Sequence, residues 1–267
     1  MSSVSKVLCL PGYLQSGSTL ARKSSGLRKI LSKKLNIQLD YITPCHEIKS
    51  RHELSFPLGP TDEESDRVWS QIVDNGSNAR WFDAQSANNY IGLDESIRFV
   101  IDHIEKNGPY DGIIGFSQGA AMAIMITNAL QKMLPSHPPF KISMAVSGFC
   151  LTVPRSGDYS DENKQRILQI TDANQYASEV EISERAAEYL CDAGGKSTGL
   201  SLPTEVILLY GKNDSIVPPI RSEYVSTLYD AKQVRTFVHE GGHLFPNDKK
   251  IVQPISELFD KKINGKL

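Results

Sequence analysis

The sequence has few of the features typical of secreted or membrane-spanning chains. Its 267 residues include four cysteines. Cys9, Cys45, Cys150 and Cys191 lack the spacing of a disulfide framework, which favours a reducing compartment. No run of 18 apolar residues occurs, and the first residues lack the charged and apolar regions of a signal peptide. We therefore expect a soluble cytoplasmic protein with no stable membrane insertion.

An excess of charge of one sign is also missing. The chain has 29 Lys and Arg against 31 Asp and Glu, giving a formal net charge of −2 and a pI of about 6.3. Proteins that bind nucleic acid or anionic membranes concentrate positive charge, so neither partner is expected. The composition leaves the oligomeric state open.

The most informative segment is a serine between two glycines, within the run Gly115-Phe116-Ser117-Gln118-Gly119. A turn signal at 107–109 and a short apolar run precede it, and the helix formers at 120–126 follow it. A G-x-S-x-G pattern between a strand and a helix is typical of a nucleophile elbow. Glycines are needed there because strand and helix approach closely around a strained serine. The context predicts Ser117 as a nucleophile.

A nucleophilic serine requires a base, and the base requires an orienting acid. Residues 205–210 read as a buried strand, and Asp214 lies in the loop that follows. Residues 234–238 alternate as a strand does, and His243 follows them after two glycines. Because the carboxyl ends of parallel strands share one edge of a sheet, we predict that Ser117, Asp214 and His243 form a triad there.

A zinc site is the competing interpretation of one part of this region. Residues 239–243 read H-E-G-G-H, which satisfies the pattern of zinc proteases. That pattern works on a helix, where two adjacent glycines cost about 2 kcal/mol of propensity, and Pro246 follows closely. His239 is better interpreted as a strand-end residue. We therefore expect no metal and no cofactor.

Hydrolysis through a serine also needs donors for the oxyanion. The fold places one at the backbone N–H after the nucleophile, here Gln118, and another in the loop after an early strand, here residues 11–17. Tyr13 N–H is the first choice in that loop and Leu14 N–H the second. The alternative is a turn that its glycine permits and that has no catalytic role.

The chain predicts an α/β fold, a single α/β-hydrolase domain over residues 1–267 with a mostly parallel sheet and helices on both faces. Strands are expected at 6–10, 37–42, 111–115, 141–146, 205–210 and 234–238. Helices are expected at 18–34 with a Ser18 cap, 62–74, 91–107, after the elbow, 219–229 and 247–261. Irregular excursions are expected near 43–61 and 151–200, with a helix over 180–191.

Several segments together resemble one known family. The segments are 8–17, 23–28, 79–82, 108–121, 147–149 and 241–243. They are similar to the FSH group of serine hydrolases, widespread in fungi and with animal relatives. The resemblance implies an α/β-hydrolase with a Ser-Asp-His triad at Ser117, Asp214 and His243, and activity on carboxylic esters or thioesters. Many relatives have His-Gly where this chain has Pro11-Gly12, which puts the oxyanion-loop geometry in question.

The sequence therefore predicts hydrolysis of a small-molecule acyl ester or thioester through an acyl-Ser117 intermediate. A peptidase with the same triad is one alternative, and a non-catalytic binding module on the hydrolase fold is another. Ester and thioester are not distinguished. The physiological substrate and its acyl length are not specified by the sequence.

Substrate contacts are predicted from aromatic and apolar residues near the elbow, with ordinary core packing as the alternative for each. Tyr13 is one candidate, and residues 56–60 form either a lid or a stiff surface loop. The other candidates are Leu14, Trp81, Phe82, Phe116 and Phe149.

The C-terminal tripeptide Gly265-Lys266-Leu267 differs by one residue from the Ser-Lys-Leu peroxisomal address. Peroxisomal import is therefore an alternative to a cytoplasmic location, and a frayed basic tail is the simpler interpretation.

Overall fold

Strands and helices alternate along most of the chain. The computed structural model describes residues 4–86 and 88–265. Its strands are β1 Lys6–Leu10, β2 Gln38–Tyr41, β3 His46–Glu47, β4 Ala79–Arg80, β5 Asp83–Ser86, β6 Asn89–Ile91, β7 Gly112–Phe116, β8 Ile142–Val146, β9 Thr152–Pro154, β10 Val180–Ile182, β11 Glu205–Gly211 and β12 Val234–His239. Its α-helices are α1 Gly17–Lys23, α2 Ser25–Lys34, α3 Asp62–Asp74, α4 Leu93–Asn107, α5 Gln118–Met133, α6 Asp161–Leu168, α7 Ala173–Glu179, α8 Glu184–Leu190, α9 Pro219–Val225 and α10 Lys249–Asn264.

A six-stranded sheet in the order β12-β11-β8-β7-β1-β2 forms the centre, and every neighbouring pair in it is parallel. Three antiparallel pairs, β3 with β4, β5 with β6 and β9 with β10, lie outside it. Parallel strands joined through helices confirm the predicted α/β-hydrolase fold.

Helices cover both faces of the sheet, as predicted. Along β1, Leu8 and Leu10 join a core that contains apolar residues of α4 and α5. Val7 and Cys9 point the other way, into a core built with α2 and α10. Alternate side chains of one strand face opposite sides, so a strand buried on both faces is apolar throughout.

The helix predicted over 18–34 is two helices. Ser16, not Ser18, caps the first, because its hydroxyl accepts the Thr19 N–H at 3.3 Å. The first helix ends at Lys23, and the hydroxyl of the next residue, Ser24, donates to the Leu20 carbonyl at 2.8 Å. The helix predicted from residue 91 begins instead at Leu93, after Gly92 with a φ of 84°.

The segment 151–200 is more ordered than its sequence suggests. It contains β9, α6, α7, β10 and α8, and its buried Tyr176 and Leu190 join the core around α5. The helix predicted over 180–191 was wrong in its first part. Residues 180–182 pair with β9, since β-branched residues favour a strand, and Ser183 caps a helix that begins at Glu184.

The segment 43–61 is largely irregular, as predicted. Arg51 ties it to α3 through Asp62 at 3.0 Å and through Asp66. Phe56 lies beside Tyr13, with ring centroids 6.1 Å apart, so the segment reaches the loop after β1. The lid remains a prediction.

Within the described residues, no helix has the length and apolar character needed to cross a bilayer. Lys266 and Leu267 lie outside those residues. The peroxisomal address therefore stays a prediction.

Candidate active site

Ser117 lies at a strained turn between β7 and α5. Its φ of 54° and ψ of −119° fall in a region that residues with a side chain rarely adopt. The Ser117 N–H donates to the Val146 carbonyl at 2.8 Å, which fixes the turn against the end of β8. This local geometry matches the elbow predicted from the sequence.

The glycines on either side of Ser117 are required by close backbone contacts. A Cβ on Gly115 would lie 2.2 Å from the Gly119 carbonyl oxygen. A Cβ on Gly119 would lie 2.2 Å from the Leu10 carbonyl oxygen and 2.3 Å from that of Pro11. Gly119 therefore lets α5 pack directly on the end of β1.

We expect Gly119→Ala to lower the free energy of unfolding by about 3 kcal/mol, because backbone carbonyls block the added methyl group. Helix propensity alone would give a gain of about 1 kcal/mol. Urea denaturation measures the difference. Gly194→Ala is the control, since its Cβ would meet only the Asp192 side chain, at 3.3 Å, and should change stability by about 0.5 kcal/mol or less. A stabilised Gly119→Ala protein would contradict the packing argument.

Ser117, His243 and Asp214 form a continuous hydrogen-bonded chain. The Ser117 Oγ lies 2.9 Å from the His243 Nε2, and the His243 Nδ1 lies 2.8 Å from the Asp214 Oδ2. The three side chains follow β7, β12 and β11. They therefore meet above the carboxyl edge of the sheet, the edge at which the sequence predicts them.

The environment of Asp214 fixes the direction of these hydrogen bonds. Burial acts to raise the pKa of Asp214, but the hydrogen bonds from His243 and the Val217 N–H oppose it, and the pKa is lowered. Its Oδ1 accepts from the Ile216 N–H at 3.0 Å and the Val217 N–H at 2.8 Å. An ionised carboxylate only accepts, so His243 donates from Nδ1 and its Nε2 accepts from Ser117.

Two neighbours hold the loop that carries His243. A Cβ on Gly211 would lie 2.3 Å from the Gly241 carbonyl oxygen, so glycine lets the loop rest against the end of β11. The Phe116 ring is buried, with its centroid 5.0 Å from that of the imidazole. Phe116, a predicted substrate contact, therefore packs behind the imidazole.

His239 and His243 do not share a helix. His239 ends β12, and its Nδ1 accepts the Gly241 N–H at 3.1 Å. Burial lowers the pKa of His239. Among residues 4–86 and 88–265, no group of three or more His, Cys, Asp or Glu side chains could hold a metal ion.

The loop after β1 lies against the nucleophile. A Cβ on Gly12 would lie 3.1 Å from the Ser117 Cβ. Within the described part of the chain, the N–H groups of Tyr13 and Gln118 have no hydrogen-bond partner. Leu14 N–H donates to the Ala79 carbonyl at 3.0 Å, so this second candidate donor is already occupied.

Gln118 also ties the elbow to residues 81 and 82 through its side chain. Its Oε1 accepts the Trp81 N–H, and its Nε2 donates to the Phe82 carbonyl, each at 2.8 Å. The Trp81 Nε1 donates to the Pro11 carbonyl, also at 2.8 Å. Trp81 is fully buried and braces the loop after β1. The sequence does not predict this bridge, since nothing in local patterning pairs residue 118 with residue 81.

A cleft of about 410 Å³ opens beside Gln118. Phe82 and Phe149, two of the residues predicted as substrate contacts, line it, whereas Leu14, Trp81 and Phe116 are not among its lining residues. Arg221 from α9 and Tyr90 from β6 also line it and were not predicted. Its volume lies within the range of small-molecule sites.

Comparison with known proteins agrees with this architecture. Residues 1–255 match the serine hydrolase (FSH1) family model. The chain is 26% identical to esterase OVCA2 of Danio rerio over 252 residues, 90% of each chain. It is 34% identical over 166 residues to a protein of Schizosaccharomyces pombe named dihydrofolate reductase. That match covers 56% of this chain and about a third (32%) of the relative.

A solved structure shows the same fold. The crystal structure of esterase PE8 superposes with a TM-score of 0.54 at 17% sequence identity, over 98% of this chain and 94% of that one. The family match spans nearly the whole protein, and the matched residues include Ser117, Asp214 and His243. The protein belongs to the serine hydrolase (FSH1) family.

Proposed function

We propose that the protein hydrolyses carboxylic esters or thioesters through an acyl intermediate on Ser117, with His243 as the base and Asp214 as the residue that orients it. The observation that carries the proposal is the pair of short contacts from Ser117 Oγ to His243 Nε2 and from His243 Nδ1 to Asp214 Oδ2, at 2.9 and 2.8 Å. A nucleophile, a base and an orienting acid in this order are what acyl transfer to serine requires.

In the first half of the reaction, the Ser117 Oγ attacks the acyl carbon and its proton passes to the His243 Nε2. The ionised Asp214 stabilises the imidazolium through Nδ1. The carbonyl oxygen becomes an oxyanion that accepts hydrogen bonds from the free Tyr13 and Gln118 N–H groups. The bond to the alcohol or thiol then breaks, and this leaving group takes the proton from Nε2.

In the second half, water attacks the acyl-Ser117 carbon and gives a proton to the His243 Nε2. The same two N–H groups hold the second oxyanion. The bond from the acyl carbon to Ser117 Oγ then breaks, Oγ recovers the proton, and a carboxylic acid leaves. No other reactant is needed.

The Pro11-Gly12 departure is compatible with this mechanism. Pro11 has no N–H, but it supplies the carbonyl that accepts the Trp81 Nε1 hydrogen bond at 2.8 Å. The indole therefore stabilises the loop after β1 through this hydrogen bond. The Tyr13 N–H remains available for the oxyanion, so the proposal does not depend on an imidazole at position 11.

A fluorophosphonate probe tests the proposal directly. We expect one covalent label per chain, on the peptide that contains Ser117, because the probe phosphonylates a serine only where a base activates it. Protein unfolded in urea is the control and should stay unlabelled. An unlabelled native protein, or a label only on another residue, would contradict the proposal and point to a binding module. Comparing a 4-nitrophenyl ester with the 4-nitroanilide of the same acyl group separates an esterase from a peptidase.

A further inference from the structure

The cleft beside Gln118 has an unequal distribution of charge. Its lining is largely apolar and aromatic, and it includes two basic side chains, Arg221 and Lys164. No acidic side chain is among the described residues that line it. A cleft of this kind attracts anions and disfavours cations.

Arg221 is the cation without a partner. Its guanidinium carbon lies 4.2 Å from the centroid of the Phe149 ring, so the group stacks on the wall of the cleft. Among described residues, no carboxylate or carbonyl accepts a hydrogen bond from its side chain. Lys164 differs, because its Nζ lies 3.2 Å from the Asp161 carboxylate. Arg221 is therefore the cation of the cleft that no described carboxylate pairs with.

The helix that carries Arg221 is fixed close to the elbow. The Ser222 hydroxyl donates to the Gly148 carbonyl at 2.6 Å, which joins α9 to the loop after β8. A Cβ on Gly148 would lie 3.3 Å from the Ala120 Cβ, in the first turn of α5. The loop after β8 therefore joins α9 to α5, and Arg221 lines the same cleft as Gln118, the residue after the nucleophile.

The position of Arg221 suits this side chain to bind a planar anion. Stacking on Phe149 covers one face of the guanidinium and leaves its N–H edges free, which suits the two oxygens of a carboxylate. Burying part of a charge without a partner carries a desolvation cost, which a ligand carboxylate would offset. A single carboxylate matches the one planar fork that Arg221 offers.

We infer that the substrate of this enzyme carries a carboxylate in addition to the ester or thioester bond, and that Arg221 binds this carboxylate and determines specificity. The inference rests on the proposed function and names its substrate class. It concerns the cleft side of the site, and no step of acyl transfer passes through Arg221.

Matched substrates test the inference. Mono-4-nitrophenyl adipate carries the charge on the acyl group, and methyl 4-nitrophenyl adipate is its neutral counterpart. In a second pair, 3-carboxy-4-nitrophenyl butyrate carries the charge on the leaving group, and 4-nitrophenyl butyrate does not. We expect the native protein to favour the charged member of one pair in kcat/KM. The pair that shows the preference identifies the half of the substrate that reaches Arg221.

Arg221→Met should lower the charged-to-neutral ratio of kcat/KM by about 10- to 100-fold, the usual effect of losing a charge-assisted pair. Arg221→Lys should give an intermediate ratio, since it keeps the charge and loses the planar fork. Using the ratio removes any general loss of activity from the comparison. Arg67→Met removes an equal charge from the exposed face of α3 and should leave the ratio unchanged.

Equal rates within both pairs, or a ratio unaffected by Arg221→Met, would overturn the inference while leaving the proposed function in place. Failure of the proposed function has a different signature, because none of the four esters would then be hydrolysed and Ser117 would take no fluorophosphonate label.

Discussion

Replacing Ser117 by alanine should lower kcat for a 4-nitrophenyl ester by about 10⁶-fold, because the proposed acyl intermediate forms on the Ser117 hydroxyl. The fold should persist, since alanine tolerates the φ of 54° no worse than serine does and the Ser117 N–H contact to Val146 involves backbone only. Steady-state kinetics and circular dichroism measure the two effects. Activity that exceeds about 1% of the native value would contradict the role of Ser117.

The control for this variant is Ser70→Ala. Ser70 is an exposed serine on α3 whose hydroxyl donates to the Asp66 carbonyl at 2.9 Å. The substitution removes the same hydroxyl oxygen from α3, outside the sheet edge. Both kcat and the thermal midpoint should remain close to native values. Loss of activity in both variants would point to damage in handling and not to chemistry at the elbow.

Asp214→Asn should lower kcat by about 10⁴-fold. The asparagine oxygen can still accept the Ile216 and Val217 N–H groups at the Oδ1 position, so the loop should keep its shape. Its NH₂ group would donate to the His243 Nδ1, leaving the hydrogen on Nε2. In that tautomer the imidazole cannot accept the Ser117 proton.

Asp192→Asn is the matched control for the carboxylate. The Asp192 Oδ1 also accepts two backbone N–H groups, from Gly194 at 2.8 Å and Lys196 at 3.0 Å, but it lies in an exposed turn. Its substitution should leave kcat unchanged. An Asp214→Asn protein within tenfold of native activity would show that His243 needs no acid to hold its tautomer.

The parts of the fold that the sequence predicted well depend on local rules. Lys6–Leu10 and Asp62–Asp74 match their predicted bounds, since apolar runs and capping residues act over a few neighbours. The nucleophile elbow could also be predicted, because two glycines around a serine indicate that a strand and a helix approach more closely than larger residues would allow. Strand order and helix placement then brought Asp214 and His243 to the same edge.

The parts that the sequence did not predict depend on contacts between distant residues. The helices of 151–200 are short and polar, and only their buried faces, such as that of α8 against α5 and that of α7 against α9, show why they fold. Trp81 and Phe82 are adjacent aromatics, yet Trp81 donates a hydrogen bond to the Pro11 carbonyl and Phe82 lines the cleft. No single-residue pattern distinguishes such neighbours. The same holds for Arg221, whose stacking on Phe149 joins residues 72 positions apart.

The position of β12 has a consequence for how the enzyme fails on heating. His243 follows β12, one of the two edge strands, which is partly exposed, whereas Ser117 follows β7 in the buried middle of the sheet. Local opening of an edge strand costs less free energy than opening of a central strand. Hydrogen exchange of the β12 amides should measure this opening. The imidazole can therefore leave the serine while the rest of the molecule stays folded. Activity would then fade before melting and return on cooling.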